Sequence, residues 1–157
     1  MKITEHTKTY TTAAFRFYKS VGGLKAYKQK VWDNAIANNS PKNRQFEEYN
    51  STEISKPTEA QIMRAERALK DARADIYDLE AVEQTLYIIS TLSNGRAIGK
   101  AVEMVYFTDI DTPLNQRGFI RGKVVKASLN IPASESSVYR YLKKARLTFA
   151  VERGLRI

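Results

Sequence analysis

The chain is predicted to be mainly α, with a helical N-terminal part, a long central helix and a C-terminal helix-turn-helix domain. Three observations carry that expectation. Apolar residues recur at helical spacing in segment after segment, a central run repeats at sevens, and helix-start and helix-stop residues fall between the segments. The corresponding divisions are residues 1–50, 51–95 and 96–157.

In the first division Thr12 is expected to cap a short helix through AAFRFYKSV, and Gly22-Gly23 to break it. LKAYKQKVWDNAIAN then resumes helical spacing with Leu24, Tyr27, Val31 and Ala35 on one face, so Phe15, Tyr18 and Trp32 are read as buried. Lysines 19, 25, 28 and 30 lie among these aromatics, a pattern that also suits base stacking, but helical spacing favours core packing. Residues 38–43 (NNSPKN) have loop or linker composition.

The middle opens on a capping box, Thr58-Glu59-Ala60-Gln61, directly after Pro57. Ile62, Leu69 and Ile76 then repeat at sevens, as do Ala65, Ala72, Leu79 and Leu86 three residues on. With Asn94-Gly95 as the stop, one helix from Thr58 to Asn94 would extend roughly 50 Å, too long to lie on a small domain unless it bends. Its stripe needs a partner. The N-terminal helices of the same chain are one, packed antiparallel; the same helix of a second copy, in a homodimer, is the other.

In the third division RAIGKAVEMVYF reads as a helix with Ile98, Val102, Val105 and Tyr106 inward, followed by a polar loop, TDIDTPLNQRG. FIRGKVVKASLNI is expected to be a helix with Ile120, Val124, Val125 and Leu129 inward, stopping near Asn130. Pro132 suits a turn, Ser134 an N-cap, and a final helix follows with Val138, Leu142, Ala145 and Phe149 on its inner side.

Charge also divides the chain in three, with other bounds: residues 1–50 carry +5, 51–116 carry −4, and 117–157 are strongly basic. Residues 117–157 hold ten Lys/Arg against Glu135 and Glu152, a local +8 in a chain of formal charge +9. That excess on a helix-turn-helix pattern points to double-stranded DNA as the partner. A recognition helix enters the major groove by its N-terminal turns, which assigns base edges to Ser136, Tyr139 and Arg140, with Ser137 also among the DNA-binding residues. Lys143, Lys144 and Arg146 are assigned to phosphates, with Arg121, Lys123 and Lys126 supporting them from the preceding helix. Arg140 is the sharpest assignment, because guanidinium to guanine O6/N7 is the commonest specific contact.

Composition excludes several classes. Cysteine is absent, and His6, the one histidine, sits in a polar stretch, so thiolate chemistry, Ser-His-Asp relays and His-rich metal sites are not expected. No catalytic residue, cofactor or metal is assigned. No run nears the about eighteen apolar residues that a membrane span needs, so the expected location is the cytoplasm. A metal-dependent nuclease built on Asp75, Asp78, Glu80, Glu83, Asp109 and Asp111 is a weak alternative, since these carboxylates suit a solvated surface.

The run KAVEMVYF, the helix ending SLNI, and SESSVYRYLKKARLTFAVERGLR together resemble the C-terminal part of phage-encoded late transcription regulators of the RinA and ArpU type. The resemblance covers roughly residues 97–157 and is most specific at Ser137-Val138-Tyr139-Arg140, Lys143-Lys144-Ala145-Arg146 and Gly154-Leu155. It implies a sigma-factor-like helix-turn-helix that binds upstream of a phage promoter, in the bacterial host, and assists RNA polymerase. Pro132-Ala133 makes the turn two residues longer than the compact pattern of that family. The small terminase subunit of a phage packaging motor is the alternative among DNA-binding proteins.

Overall fold

The computed structural model describes residues 2–37 and 56–157, which form seven helices and no strand; the loop expected at 38–43 lies outside the described residues. The fold is mainly α. In order the helices are α1 (Glu5–Val21), α2 (Leu24–Ala37), α3 (Glu59–Asp71), α4 (Arg73–Ser90), α5 (Gly95–Tyr106), α6 (Phe119–Asn130) and α7 (Glu135–Arg153). None among the described residues is long and apolar enough to cross a membrane. The chain divides into two compact units, residues 25–76 and residues 1–24 with 77–157. Helix α1 thus belongs with the C-terminal helices rather than with the rest of residues 1–50.

Helix α1 starts eight residues earlier than its apolar pattern suggests. Its cap is Thr4, whose hydroxyl accepts from the Thr7 amide at 3.1 Å. Thr12 is buried inside the helix, its hydroxyl donating to the Lys8 carbonyl at 2.9 Å. The misreading is physical: threonine satisfies its hydroxyl equally well by back-bonding within a helix and by capping one. Gly22 ends the helix as expected, in the left-handed conformation at φ 77°.

In the smaller unit, α2 and the start of α4 meet where the Tyr27 hydroxyl donates to the Asp75 carboxylate at 2.7 Å. Burial, reinforced by that bond, pushes the Tyr27 phenol up to about 12. The expected inner face of α2 is there, but Tyr27, Val31, Trp32 and Ala35 are only half-buried. The capping box at Thr58 forms in full: Gln61 N–H donates to the Thr58 hydroxyl at 3.3 Å, and Thr58 N–H donates to the Gln61 side chain at 2.8 Å.

The single helix expected over Thr58 to Asn94 is two. Ala72 departs from helical geometry at ψ 12°, and α4 ends at Ser90, four residues before Asn94. Thr91 and Leu92 N–H donate to the Ile88 and Ile89 carbonyls, closing a tight last turn, and Gly95 N–H donates to the Leu92 carbonyl. Gly95 opens α5 instead of stopping α4. A Cβ there would lie 2.0 Å from the Ile89 carbonyl oxygen, so only glycine lets the chain turn this closely.

The core of the larger unit is aromatic. Phe15 is fully buried, stacks on Tyr106 with ring centres 5.4 Å apart, and meets Phe149 at 5.6 Å. Around it pack Val82 and Ile89 of α4, Ile98, Val102 and Val105 of α5, Val124 of α6, and Val138 and Leu142 of α7. Of the heptad stripe, Leu79 is fully buried and Leu86 packs half-buried against this core. Asp78 of α4 fastens the helices laterally. Its carboxylate accepts from the Tyr10 hydroxyl at 2.6 Å and from Arg153 Nε at 2.5 Å.

Phe15→Ala is expected to cost about 3–5 kcal/mol in urea unfolding, since it empties the aromatic centre. Phe15→Leu should cost clearly less. Gly95→Ala should cost about 1–3 kcal/mol or more, because carbonyl and methyl cannot share the space. A melting temperature for Gly95→Ala equal to the parent's would contradict the close approach.

Candidate nucleic-acid interface

Helices α5, α6 and α7 pack against one another, and α1 packs on both α5 and α7. Helix α7 begins where the sequence places it. Ser134 is the N-cap, its hydroxyl accepting from the Ser137 amide at 3.2 Å, and Glu135 in the first turn complements the positive helix end. Val138, Leu142, Ala145 and Phe149 are fully buried along the inner side. Opposite them Ser136, Tyr139, Arg140, Lys143 and Lys144 are exposed. Gly154, left-handed at φ 73°, ends the helix with Leu155 N–H donating back to the Ala150 carbonyl at 2.8 Å. The Thr7 hydroxyl then holds the Arg156 carbonyl at 2.9 Å.

Ser137 is half-buried and already committed: its amide serves the cap, and its hydroxyl accepts from Ser134 at 3.1 Å and from Arg140 Nη2 at 3.0 Å. That last bond steadies the Arg140 guanidinium and leaves its other N–H groups for a ligand. Arg140 and Lys144, with Asn94 and Ser137, border a cleft of about 480 Å³ between the start of α5 and α7; Leu92, Ile98 and Tyr141 complete its walls.

Helix α6 differs from expectation on both faces. Leu129 is 82% exposed and Val125 lies at the surface, whereas the inner positions are Ile120, Lys123, Val124, Ala127 and the following Ile131. Arg121 and Lys126 are exposed, as assigned. Lys123 is not: it is 8% exposed, and its ammonium donates to the Thr108 hydroxyl at 2.7 Å and to the Asp109 carboxylate. Burial and pairing take it out of the surface that could meet DNA. Arg146 is likewise turned inward. It is half-buried, Nη1 donates to the Tyr106 hydroxyl at 2.7 Å, and Nε is buried without a partner. Its assignment to a phosphate does not fit that position.

The α5–α6 loop is held by two cations. Asp109 takes the left-handed conformation at φ 49°, which a short polar side chain tolerates, and faces Lys123. The Lys123 hydrogen bond and charge hold the Asp109 carboxyl below its usual range. From α1, Arg16 Nη2 donates to the carbonyls of Asp109 at 2.9 Å, Ile110 at 2.6 Å and Thr112, and its guanidinium lies 5.7 Å from the centre of the Phe119 ring. Arg16 carries no motif that singles it out in the sequence.

Four of the six carboxylates considered for a metal are engaged elsewhere: Asp75 by Tyr27, Asp78 by Tyr10 and Arg153, Glu83 by Tyr18, and Asp109 by Lys123. Among the described residues no group of three or more His, Cys, Asp or Glu is placed to hold a metal ion. Comparison with protein-family models, curated proteins and solved structures gives no match.

The folded Asp109 titrates lower than the unfolded carboxyl, so its contribution to stability is present above roughly pH 4 and is lost as pH falls through the depressed folded value. Asp109→Asn keeps a side chain that tolerates left-handed geometry and removes the charge. Urea midpoints followed from neutral pH downward should fall less steeply for Asp109→Asn than for the parent. Parallel curves would show that the Lys123 pair contributes nothing.

Proposed function

We propose that this protein is a sequence-selective DNA-binding transcriptional regulator that acts without catalysis or cofactor. The observation that carries the reading is the division of α7: four fully buried apolar residues on one side, and Ser136, Tyr139, Arg140, Lys143 and Lys144 exposed on the other. Glu135 in the first turn is the one acid among them. A helix of this kind is anchored by its inner side and free to enter a major groove by its first turns. Arg121 and Lys126 of α6 extend the positive surface.

In this reading Arg140 meets base edges, with Ser136 and Tyr139 beside it. Lys143 and Lys144 lie further along the helix and hold the phosphate backbone. The resemblance to phage late regulators supplies the biological role: a protein bound upstream of a late promoter in the bacterial cytoplasm, assisting RNA polymerase there.

Because Phe15 and Arg16 of α1 complete the core and the loop, the test uses the full chain. Arg140→Ala should cost about 1–3 kcal/mol on the cognate duplex and much less on scrambled DNA. Lys144→Ala should weaken both by a similar factor and lower the slope of log affinity against log salt by about one. Titrations at several salt concentrations separate the two behaviours. Equal losses on both duplexes for Arg140→Ala would remove it from the base-reading role, and a parent affinity insensitive to salt would end the DNA reading.

A further inference from the structure

The buried heptad stripe leaves the opposite side of α4 free. Tyr77, Glu80, Gln84 and Tyr87 follow one another at i, i+3, i+7 and i+10, which places them together on the outer face of the helix. All four are exposed, Tyr77 at 48% and Tyr87 at 66%. Among the described residues Glu80 and Gln84 make no hydrogen bond or ion pair within the chain. Arg153 steadies the Tyr77 ring, lying 5.8 Å from its centre while paired with Asp78.

The order of these residues is symmetric. Counted from Val82, tyrosines stand five positions away on either side, and Glu80 and Gln84 two positions away. A two-fold axis requires that a residue contacting another be contacted by it in return, so a face can pair with itself only if it is self-complementary. This one is, in the antiparallel sense. With the axis at Val82, Tyr77 meets Tyr87 of the second copy, and the Gln84 amide can donate to Glu80 of the second copy, each contact occurring twice. Beside Tyr77 is a groove of about 390 Å³ lined also by Glu80, Gln84, Glu152 and Arg153, open to an incoming aromatic ring. Paired tyrosines with an arginine alongside are the residue types that anchor protein interfaces.

We infer that the outer face of α4 is a homodimer interface in which a second copy of this chain packs antiparallel about Val82. The pairing differs from the zipper that the heptad stripe suggests, because on α4 Ile76 and Leu79 are already buried within the chain and Leu86 is half-buried. It does not rest on the DNA reading and is measured without DNA.

Sedimentation equilibrium of the full chain at micromolar concentrations should show a monomer–dimer equilibrium. Gln84→Glu sets carboxylate against carboxylate at both contacts and should weaken dimerisation about tenfold or more. The double variant Glu80→Gln/Gln84→Glu restores one donor opposite one acceptor and should recover the parent constant. Tyr87→Ala should weaken the dimer with an unchanged melt of the monomer. A parent that stays monomeric throughout, a Gln84→Glu dimer as tight as the parent, or a double variant no better than Gln84→Glu would each overturn the proposal.

Discussion

The stacking of Phe15 on Tyr106, with Phe149 against the same ring, is the contact on which the larger unit depends. It joins α1 to α5 and α7 across most of the length of the sequence, and each ring has lost all contact with water. Three-helix arrangements of this size bury little area on their own, so the aromatic contributed by a distant segment is a large share of the core. The orientation of α7, and with it the side that faces outward, follows from Phe149 having to reach Phe15. Arg16, next in sequence, then carries the same attachment outward to the carbonyls of the α5–α6 loop.

One consequence is that residues 96–157 do not make a detachable module. Cutting α1 away would expose Tyr106 and Phe149 and release the loop that precedes α6. Charge and fold divide the chain differently for a reason: charge follows the solvent-facing job of each segment, whereas the compact unit follows the apolar residues. Residues 1–24 are basic and helical like their neighbours, yet Ala14 and Phe15 belong to the C-terminal core.

Much of this was legible because apolar spacing and caps are local. The inner face of α7, the inner face of α5, the Ser134 cap and the Thr58 capping box all require only residues three or four apart. What was not legible depends on partners far along the chain. Lys123 shares a helical face with Ile120, Val124, Ala127 and Ile131, and that spacing was the available signal; reading apolar residues alone placed Leu129 inside and Lys123 outside. Arg146 follows the same logic, lying among Leu142, Ala145 and Phe149. A lysine or arginine can occupy an inward position once its charged end finds Asp109 or Tyr106, and neither partner lies on the same helix. Gly95 is a different case. Its Asn-Gly context signals a stop, but the carbonyl of Ile89 that forbids a side chain is brought near only by the turn itself.

The buried cations also change what the local charge means. Of the ten basic residues in 117–157, Lys123, Arg146 and Arg153 are wholly or partly withdrawn into internal pairs, and seven remain exposed. Lys123 and Arg153 lie opposite carboxylates and contribute little field at a distance, whereas Arg146, on the neutral Tyr106 hydroxyl, keeps its charge; direct phosphate contact falls to the seven exposed residues, Arg117, Arg121, Lys126, Arg140, Lys143, Lys144 and Arg156. They also set a ceiling. If every one met a phosphate, the slope of log affinity against log salt would reach only about 6 from this segment. Arg140 spent on a base lowers that figure by one contact. The fold thus sorts a single basic run into cations that hold the helices in place and cations that face outward, and affinity and stability draw on different members of it.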